Sequence, residues 1–306
     1  MINQPLVSII VVTYNSAKFV IETLESAHLQ SYKNIELLVT DDSSSDNTVD
    51  LCENWGLSNS SRFAKLTIIK SRQNKGIASN CNKGVSAASG EWIKLIAGDD
   101  ILLPNCVEDY VAFAKATPDA KIIVGGLEYF GSDVKSVWFP PAIFQKKNAY
   151  EQYRYQIRHG TAIMGASPFI KKTVFDEIGA FNNNYQFSED FPFYVKATQN
   201  NIRIFTLLKL VVKYRVHQES ISHAPNSKFL LSYSKYIREV IFPLSKKEGM
   251  YFFYWHQKLN YFLVDRANKF PFKYLVMRYL LVAFLDPYRY YLKINKAIHK
   301  STGTLS

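Results

Sequence analysis

Cysteine is scarce in this chain. Cys52, Cys81 and Cys106 are the only three in 306 residues. An odd number, with no CxxC spacing and no adjacent His cluster, argues against a disulfide framework or a zinc site and for a reducing compartment. The opening residues, MINQPLVSIIVVTYN, do not read as a signal peptide, because they carry no basic segment and break their apolar run at Thr13. No uncharged apolar stretch reaches the roughly 18 residues of a spanning helix. The longest apolar stretch, Tyr274 to Leu285, is shorter than that and is interrupted by the charge of Arg278. There is no GxGxxG after the first apolar run and no GxxxxGK followed by Ser or Thr, which argues against a dinucleotide site and a P-loop nucleotidase.

Apolar mass is plentiful. The chain is 47% hydrophobic and 15% aromatic, enough for a substantial core and far from the composition of disorder. Formal net charge is +11, and residues 225–306 hold fourteen Lys/Arg against four Asp/Glu, so the first 224 residues are close to neutral. Such asymmetry implies a soluble body with a basic surface for an anionic partner, either a membrane leaflet or a polyanion.

Short β-branched runs alternate with helical periodicity. VSIIVV at 7–12 reads as a buried strand, followed by a helix with Val20, Ile21, Leu24 and Ala27 on one face and capped by Asn15 or Ser16. IELLV at 35–39 is a second strand, with a helix after it capped by Ser44 or Ser45. Leu66–Ile69 is a third, Gly76–Ala88 a helix, and WIKLIA at 92–97 a fourth strand ending in Gly98, Asp99 and Asp100. This alternation implies βαβ units, hence an α/β fold with a mostly parallel sheet. The strand ends then share one rim, and with them Thr13 to Asn15, Asp41 with Asp42, and Asp99 with Asp100. Further on, Lys121–Phe130 reads as a strand, and 131–160 as irregular, including YEQYRYQIRHG. Residues 162–170 read as strand-like, 171–178 as a helix ended by Gly179, and 202–216 as β-rich. Ser188 looks like the N-cap of a helix with Glu189 and Asp190 in its first turn, where the helix dipole favours ionised carboxylates.

Carboxylate pairs at strand ends suit a hard metal or sugar hydroxyls, or serve as helix caps in a solvated loop. Beyond that, VSIIVVTYN, IELLVTDDSSSDNT, NKGIASNCNKG, GEWIKLIAGDD, IGAF and SED, in that order over roughly residues 6–222, together resemble a family 2 glycosyltransferase of the GT-A fold. The resemblance implies a Rossmann-like catalytic domain over 1–224, with a nucleotide-sugar half to about 103 and an acceptor half from 104. A helical, aromatic-basic extension over 225–306 follows.

It also implies roles. Thr13, Tyr14, Asn15, Asp42, Asn74 and Asp99 would bind the donor, with Asp42 accepting from the base, and Asp100 would hold a divalent metal, Mn or Mg. His217 would be either a metal ligand or a diphosphate hydrogen bonder. Asp190 would be the general base, with Glu189 and Ser220 on the acceptor side or closing loop.

The implied reaction is inverting, non-processive transfer of one sugar from a nucleotide donor, a UDP-sugar, to a glycan hydroxyl. The QxxRW signature of processive members is absent. With the basic tail, the implied acceptor is a glycan on a polyprenyl-diphosphate lipid, as in O-antigen or capsule assembly, at the cytoplasmic face of the cell membrane. Single-stranded nucleic acid, which aromatics among basic residues can also bind, does not suit a sugar-transfer site. Three departures stand out: Ser43 where Gly is frequent, Cys81 where Arg is frequent, and Ala97 where an acid is frequent. They motivate an alternative, a non-catalytic, membrane-bound partner protein of a polysaccharide assembly complex that keeps the fold.

Overall fold

The computed structural model describes residues 4–131, 136–160, 162–217, 228–255 and 258. Its frame is set by β-branched runs. In Val7–Thr13 (β1), Val7, Ile9, Ile10 and Val11 have no exposed surface, as a strand covered on both faces requires. Val20–His28 (α1) follows and turns Val20, Leu24 and Ala27 inward. Ile35–Asp41 (β2) is buried at every position. The alternation continues through Thr48–Asn59 (α2), Lys65–Lys70 (β3), Ile77–Ala87 (α3) and Trp92–Ala97 (β4). β1 lies between β2 and β4, parallel to both, and β2 is parallel to β3.

The second half comprises Ile101–Leu102 (β5), Cys106–Ala116 (α4), Ile122–Phe130 (β6), Val137–Trp138 (β7), Ile143–Lys146 (α5), Ala149–His159 (α6), Pro168–Lys171 (β8), Thr173–Ile178 (α7), Asp190–Gln199 (α8) and Ile204–Arg215 (β9). Among the described residues all strands join one sheet in the order β3-β2-β1-β4-β8-β6-β9-β5, with β7 on β6. The first four strands and the β6–β9 pair are parallel, whereas β8, β5 and β7 join antiparallel. The sheet is thus parallel where the βαβ rhythm is clean and mixed beyond β4. Helices cover both faces. Leu24, Cys52, Val107 and Tyr110 pack on one face, and Cys81, Val85, Val174 and Phe193 on the other. Phe169 stacks against Trp92 at 4.8 Å and against Tyr110 at 4.9 Å, joining β8 to β4 and α4.

Two local expectations give way. The helix caps proposed at Ser16, Asn15, Ser44 and Ser45 do not form; α1 and α2 begin after Phe19 and Asn47 without a side-chain cap. And YEQYRYQIRH, expected to be irregular, is α6, opened by a reciprocal capping box between Asn148 and Glu151. Its buried face carries Gln152 and Gln156, which hides the helical period from a hydrophobicity reading. Burial of Gln152 has a definite cause. Its Nε2 donates to the Ile204 carbonyl at 2.8 Å, and its Oε1 accepts from Ile204 N at 2.9 Å, so the amide acts as a one-residue strand on the start of β9.

The chain divides into two units, Met1–Tyr236 and Ile237–Ser306. Helix Lys228–Tyr236 closes the first unit, where Tyr233 and Tyr236 pack on Phe191 at 5.7 and 5.2 Å. Of the second unit the structure describes a π-helical turn, Ile237–Ile241, helix Phe242–Lys247, and a helical segment at 251–255. Most of the aromatic-basic extension, including the stretch from Tyr274, lies outside the described residues.

Gln152→Leu leaves both backbone polar groups of Ile204 buried without a partner. A loss of about 3 kcal/mol in urea unfolding is expected; a loss under about 0.5 kcal/mol would show that the amide pairing contributes nothing.

Candidate active site

In-register parallel pairing brings the strand ends together. Thr13 faces Asp41 across β1 and β2, and Val12 faces Ala97 across β1 and β4. The rim is then tied by side chains. Thr13 Oγ1 donates to Asp41 Oδ2 at 2.9 Å. Asn15, in left-handed backbone at φ 51°, donates its N–H to Ser44 Oγ and accepts from Ser45 N through Oδ1, both at 2.8 Å. From α3, Asn80 Nδ2 donates to the Thr13 and Thr40 carbonyls at 3.1 and 2.9 Å. The sequence reading did not single out Asn80; a buried Asn on an apolar helix face was the available signal.

The donor residues expected on this rim differ in exposure. Tyr14, Asn15 and Asn74 are exposed, with Asn74 Oδ1 turned back to accept from Gly76 N. Thr13 and Asp42 are buried. Asp42 was expected to accept from a base, but its oxygens already take N–H bonds from Lys75 at 3.0 Å and Gly76 at 2.7 Å, and Lys83 Nζ stands 3.9 Å away. In this geometry Asp42 shapes the 74–76 turn.

The acidic turn sits against β1. A methyl group on Gly98 would stand 2.9 Å from Thr13 Cγ2 and 3.0 Å from Ser16 Oγ, so the close approach needs glycine. Beyond it the two carboxylates part company. Asp99 keeps 29% of its side chain exposed and pairs through Oδ2 with His217 Nε2 at 3.0 Å. Asp100 is enclosed at 1% exposure, with Oδ1 accepting from Arg215 N at 2.8 Å and Oδ2 without a hydrogen-bond partner. Burial, aided by the charge of Asp99, pushes the Asp100 carboxyl well above its ordinary range. The residue expected at the metal is therefore the one withdrawn from the surface, and the one expected at the donor is paired with the histidine. Among the described residues no group of three or more His, Cys, Asp or Glu is gathered for a metal.

Arg215, also missed, organises this corner. Its guanidinium lies 4.4 Å from the ring centres of both Phe19 and Phe130, donates from Nε to the Asp99 carbonyl at 2.7 Å, and pairs with Glu22 at 2.7 Å. Its signal was an arginine two residues before the singled-out histidine in YRVH.

On the acceptor side, Glu189 and Asp190 open α8, but not as expected. Ser188 provides no cap; its Oγ is buried without a partner. Asp190 Oδ1 accepts from Phe191 N at 2.7 Å, and a methyl group on Gly165 would stand 3.5 Å from Oδ2. Burial lifts the Asp190 carboxyl to about 6, and burial with the charge of Asp190 lifts Glu189 to about 8. The expected ionising effect of the helix dipole is overridden, because a dipole contributes about 0.3–1 kcal/mol whereas desolvating a carboxylate costs several. The Cys81 thiol is pushed up by burial and then by the charges of Glu189, Asp190 and Asp42. Ser220 lies outside the described residues.

The family described as Glycosyl transferase family 2 matches residues 8–179. An uncharacterised glycosyltransferase, RT0329, of Rickettsia typhi is 28% identical over 70% of this chain, which spans 65% of that protein's length, just under two thirds. GlyG of Streptococcus pneumoniae is 26% identical over 77% of this chain and 78% of its own. WfaP of Escherichia coli, a UDP-Glc:alpha-D-GlcNAc-diphosphoundecaprenol beta-1,3-glucosyltransferase, is 24% identical over 77% of this chain and 86% of its own. Among solved structures, S. aureus TarS 1-349 in complex with UDP-GlcNAc superposes with a TM-score of 0.58 at 20% identity, covering 84% of this chain and 80% of that one. The fold is shared with TarS.

Ser43 sits in the left-handed region at φ 67°, the reason glycine suits this position. Ser43→Gly should stabilise the protein by about 1 kcal/mol; equal or lower stability in urea unfolding would refute a strain cost there.

Proposed function

The chain belongs to glycosyl transferase family 2, and from that premise we propose that it transfers one sugar from a nucleotide donor, a UDP-sugar, to a hydroxyl of a lipid-linked glycan with inversion at the anomeric carbon. The observation that carries the proposal is the raised, partly exposed Asp190 carboxylate beside exposed, side-chain-free Gly165, a combination that suits a base receiving an acceptor hydroxyl. The acceptor oxygen forms the new bond to the anomeric carbon as its proton passes to Asp190. The anomeric bond to the diphosphate breaks, and its electron pair leaves with the nucleoside diphosphate. Glu189, held higher than Asp190, stays protonated beside the base and keeps a second negative charge away from it.

Tyr14, Asn15 and Asn74 would line the donor pocket, with Thr13 and Asp42 fixing the turns that carry them. Asp99 and His217 would hold a divalent ion in this reading, which the convergence of a carboxylate oxygen and an imidazole nitrogen at a partly open rim supports. When bound, Mn or Mg would supply positive charge to the departing diphosphate. Asp100 would stand behind the ligands, held by Arg215.

The proposed site of action is the cytoplasmic face of the cell membrane, in surface polysaccharide synthesis such as O-antigen assembly. Its support is the basic extension and the lipid-linked substrate in the name of WfaP. Tyr251, Phe252 and Trp255 are exposed on the described helical segment, and Lys258 stands over the rings of Tyr254 and Trp255, a combination suited to an anionic interface. No helix among the described residues is long and apolar enough to cross a membrane. The Cys81 and Ala97 departures keep a non-catalytic partner protein as the second reading.

Release of UDP from UDP-glucose and UDP-N-acetylglucosamine with Mn tests the reading. Asp190→Asn should lower it at least 100-fold while UDP binding by calorimetry persists; release that survives the substitution would remove Asp190 from the mechanism, and no release or metal-dependent binding would favour the partner protein. Because burial raises the Asp190 carboxyl to about 6, the base is ionised above that pH and turnover should fall as pH drops through it. An acid limb near 4 would mean the base is elsewhere. The full chain should sediment with vesicles containing phosphatidylglycerol and not with pure phosphatidylcholine; equal behaviour would end the membrane proposal.

A further inference from the structure

A lysine lies in the middle of the core. Lys94, on β4 between Ile93 and Leu95, has no exposed surface and is among the largest fully buried side chains. Its face of the strand, shared with Trp92 and Ile96, packs under α4. A cation in such a place costs several kcal/mol unless polar groups surround it. Here the partners are carbonyls: Nζ donates to Leu95 O at 3.2 Å and, more closely, to Ala166 O. Burial accordingly pushes the ammonium down to about 8, with the charge of Asp100 opposing the fall.

Ala166 belongs to the loop between residue 162 and β8. The next residue is pinned as well. Tyr110 Oη donates to the Ser167 carbonyl and accepts from Gly125 N at 2.9 Å, and Ser167 Oγ donates to the Gly125 carbonyl at 2.6 Å. Ser167 N closes a turn on the Met164 carbonyl at 2.9 Å. This anchored turn presents Gly165, exposed and without a side chain, to Oδ2 of Asp190. The buried cation thus grips the peptide immediately after the residue that walls the carboxylate.

We propose that Lys94 is a positioning residue for sugar transfer, fixing the 163–167 turn from below so that Gly165 holds the acceptor hydroxyl against Asp190. The proposal rests on the reading of Asp190 as the base. A hydrophobic residue would fill the core at lower cost, and an ammonium earns its burial by having donors that reach a backbone carbonyl no neighbouring strand pairs. Leu or Met at 94 leaves the Ala166 carbonyl buried without its donor, and the turn free to shift.

The test compares Lys94→Met with wild type in three measurements. Hydrogen exchange should quicken at least tenfold at the amides of 163–167 and stay unchanged in β1 and β2. UDP binding with Mn should remain within twofold of wild type, while UDP release from UDP-glucose or UDP-N-acetylglucosamine falls at least tenfold. Unchanged exchange in the turn overturns the proposal, as does a proportionate fall of binding and release, the mark of a protein merely less folded. Should Lys94→Met not fold, Gly165→Ala adds a methyl group at ordinary contact distance from Asp190 and should reproduce the split between binding and release; an unaffected Gly165→Ala would then overturn it. If Asp190→Asn still releases UDP, the base assignment fails by itself, whereas loss in Asp190→Asn with no split in Lys94→Met fails the positioning role alone.

Discussion

One guanidinium joins the two halves of the sheet. Arg215 ends β9, the last strand, yet its contacts belong to the beginning of the chain: Phe19 and Glu22 on one side, and the Asp99 carbonyl on another, while its own N–H reaches the Asp100 carboxylate. Being planar and always charged, it can lie between two rings and donate edgewise at the same time, which an ammonium cannot. The acidic turn and His217 owe their mutual position to this clamp, because His217 follows two residues after it and its ring packs, tilted, against Phe19 at 4.9 Å.

Much of the architecture was legible because burial on both faces leaves few alternatives to a β-branched run. β1, β2, β3 and β4 fall within a residue or two of their sequence boundaries, and Gly179 ends α7 as anticipated, with Phe181 beyond it packing on Phe175 and Phe193. Legibility failed where polar groups do structural duty inside. Gln152 and Gln156 disguised α6, Asn80 was read as one more helix residue, and Lys94 was counted only as part of a strand. In each case the partner is a backbone group far along the chain, such as Ile204, Thr13 or Ala166, and no local pattern encodes it.

The site was legible in its parts and less so in their roles. Sequence brings the carboxylates to one rim, but which is open and which enclosed depends on where β9 ends, and that decides the contrast between Asp99 and Asp100. Likewise, the first turn of α8 reads as a place where charge is favoured. The fold instead desolvates it, and the larger energy wins, lifting Asp190 to about 6 and Glu189 to about 8, so that near neutrality the first is ionised and the second keeps its proton.

The strand order has a consequence for the life of the protein outside its reaction. A sheet this wide ends in two edges, each a row of unpaired backbone groups that could recruit another chain. At one edge β3 is bracketed by exposed Lys65 and Lys70, and at the other β5 is only two residues long. Both termini of the sheet are thereby poor templates for a neighbour, and a sequence rich in aromatic and β-branched residues can be concentrated without stacking edge to edge into fibres.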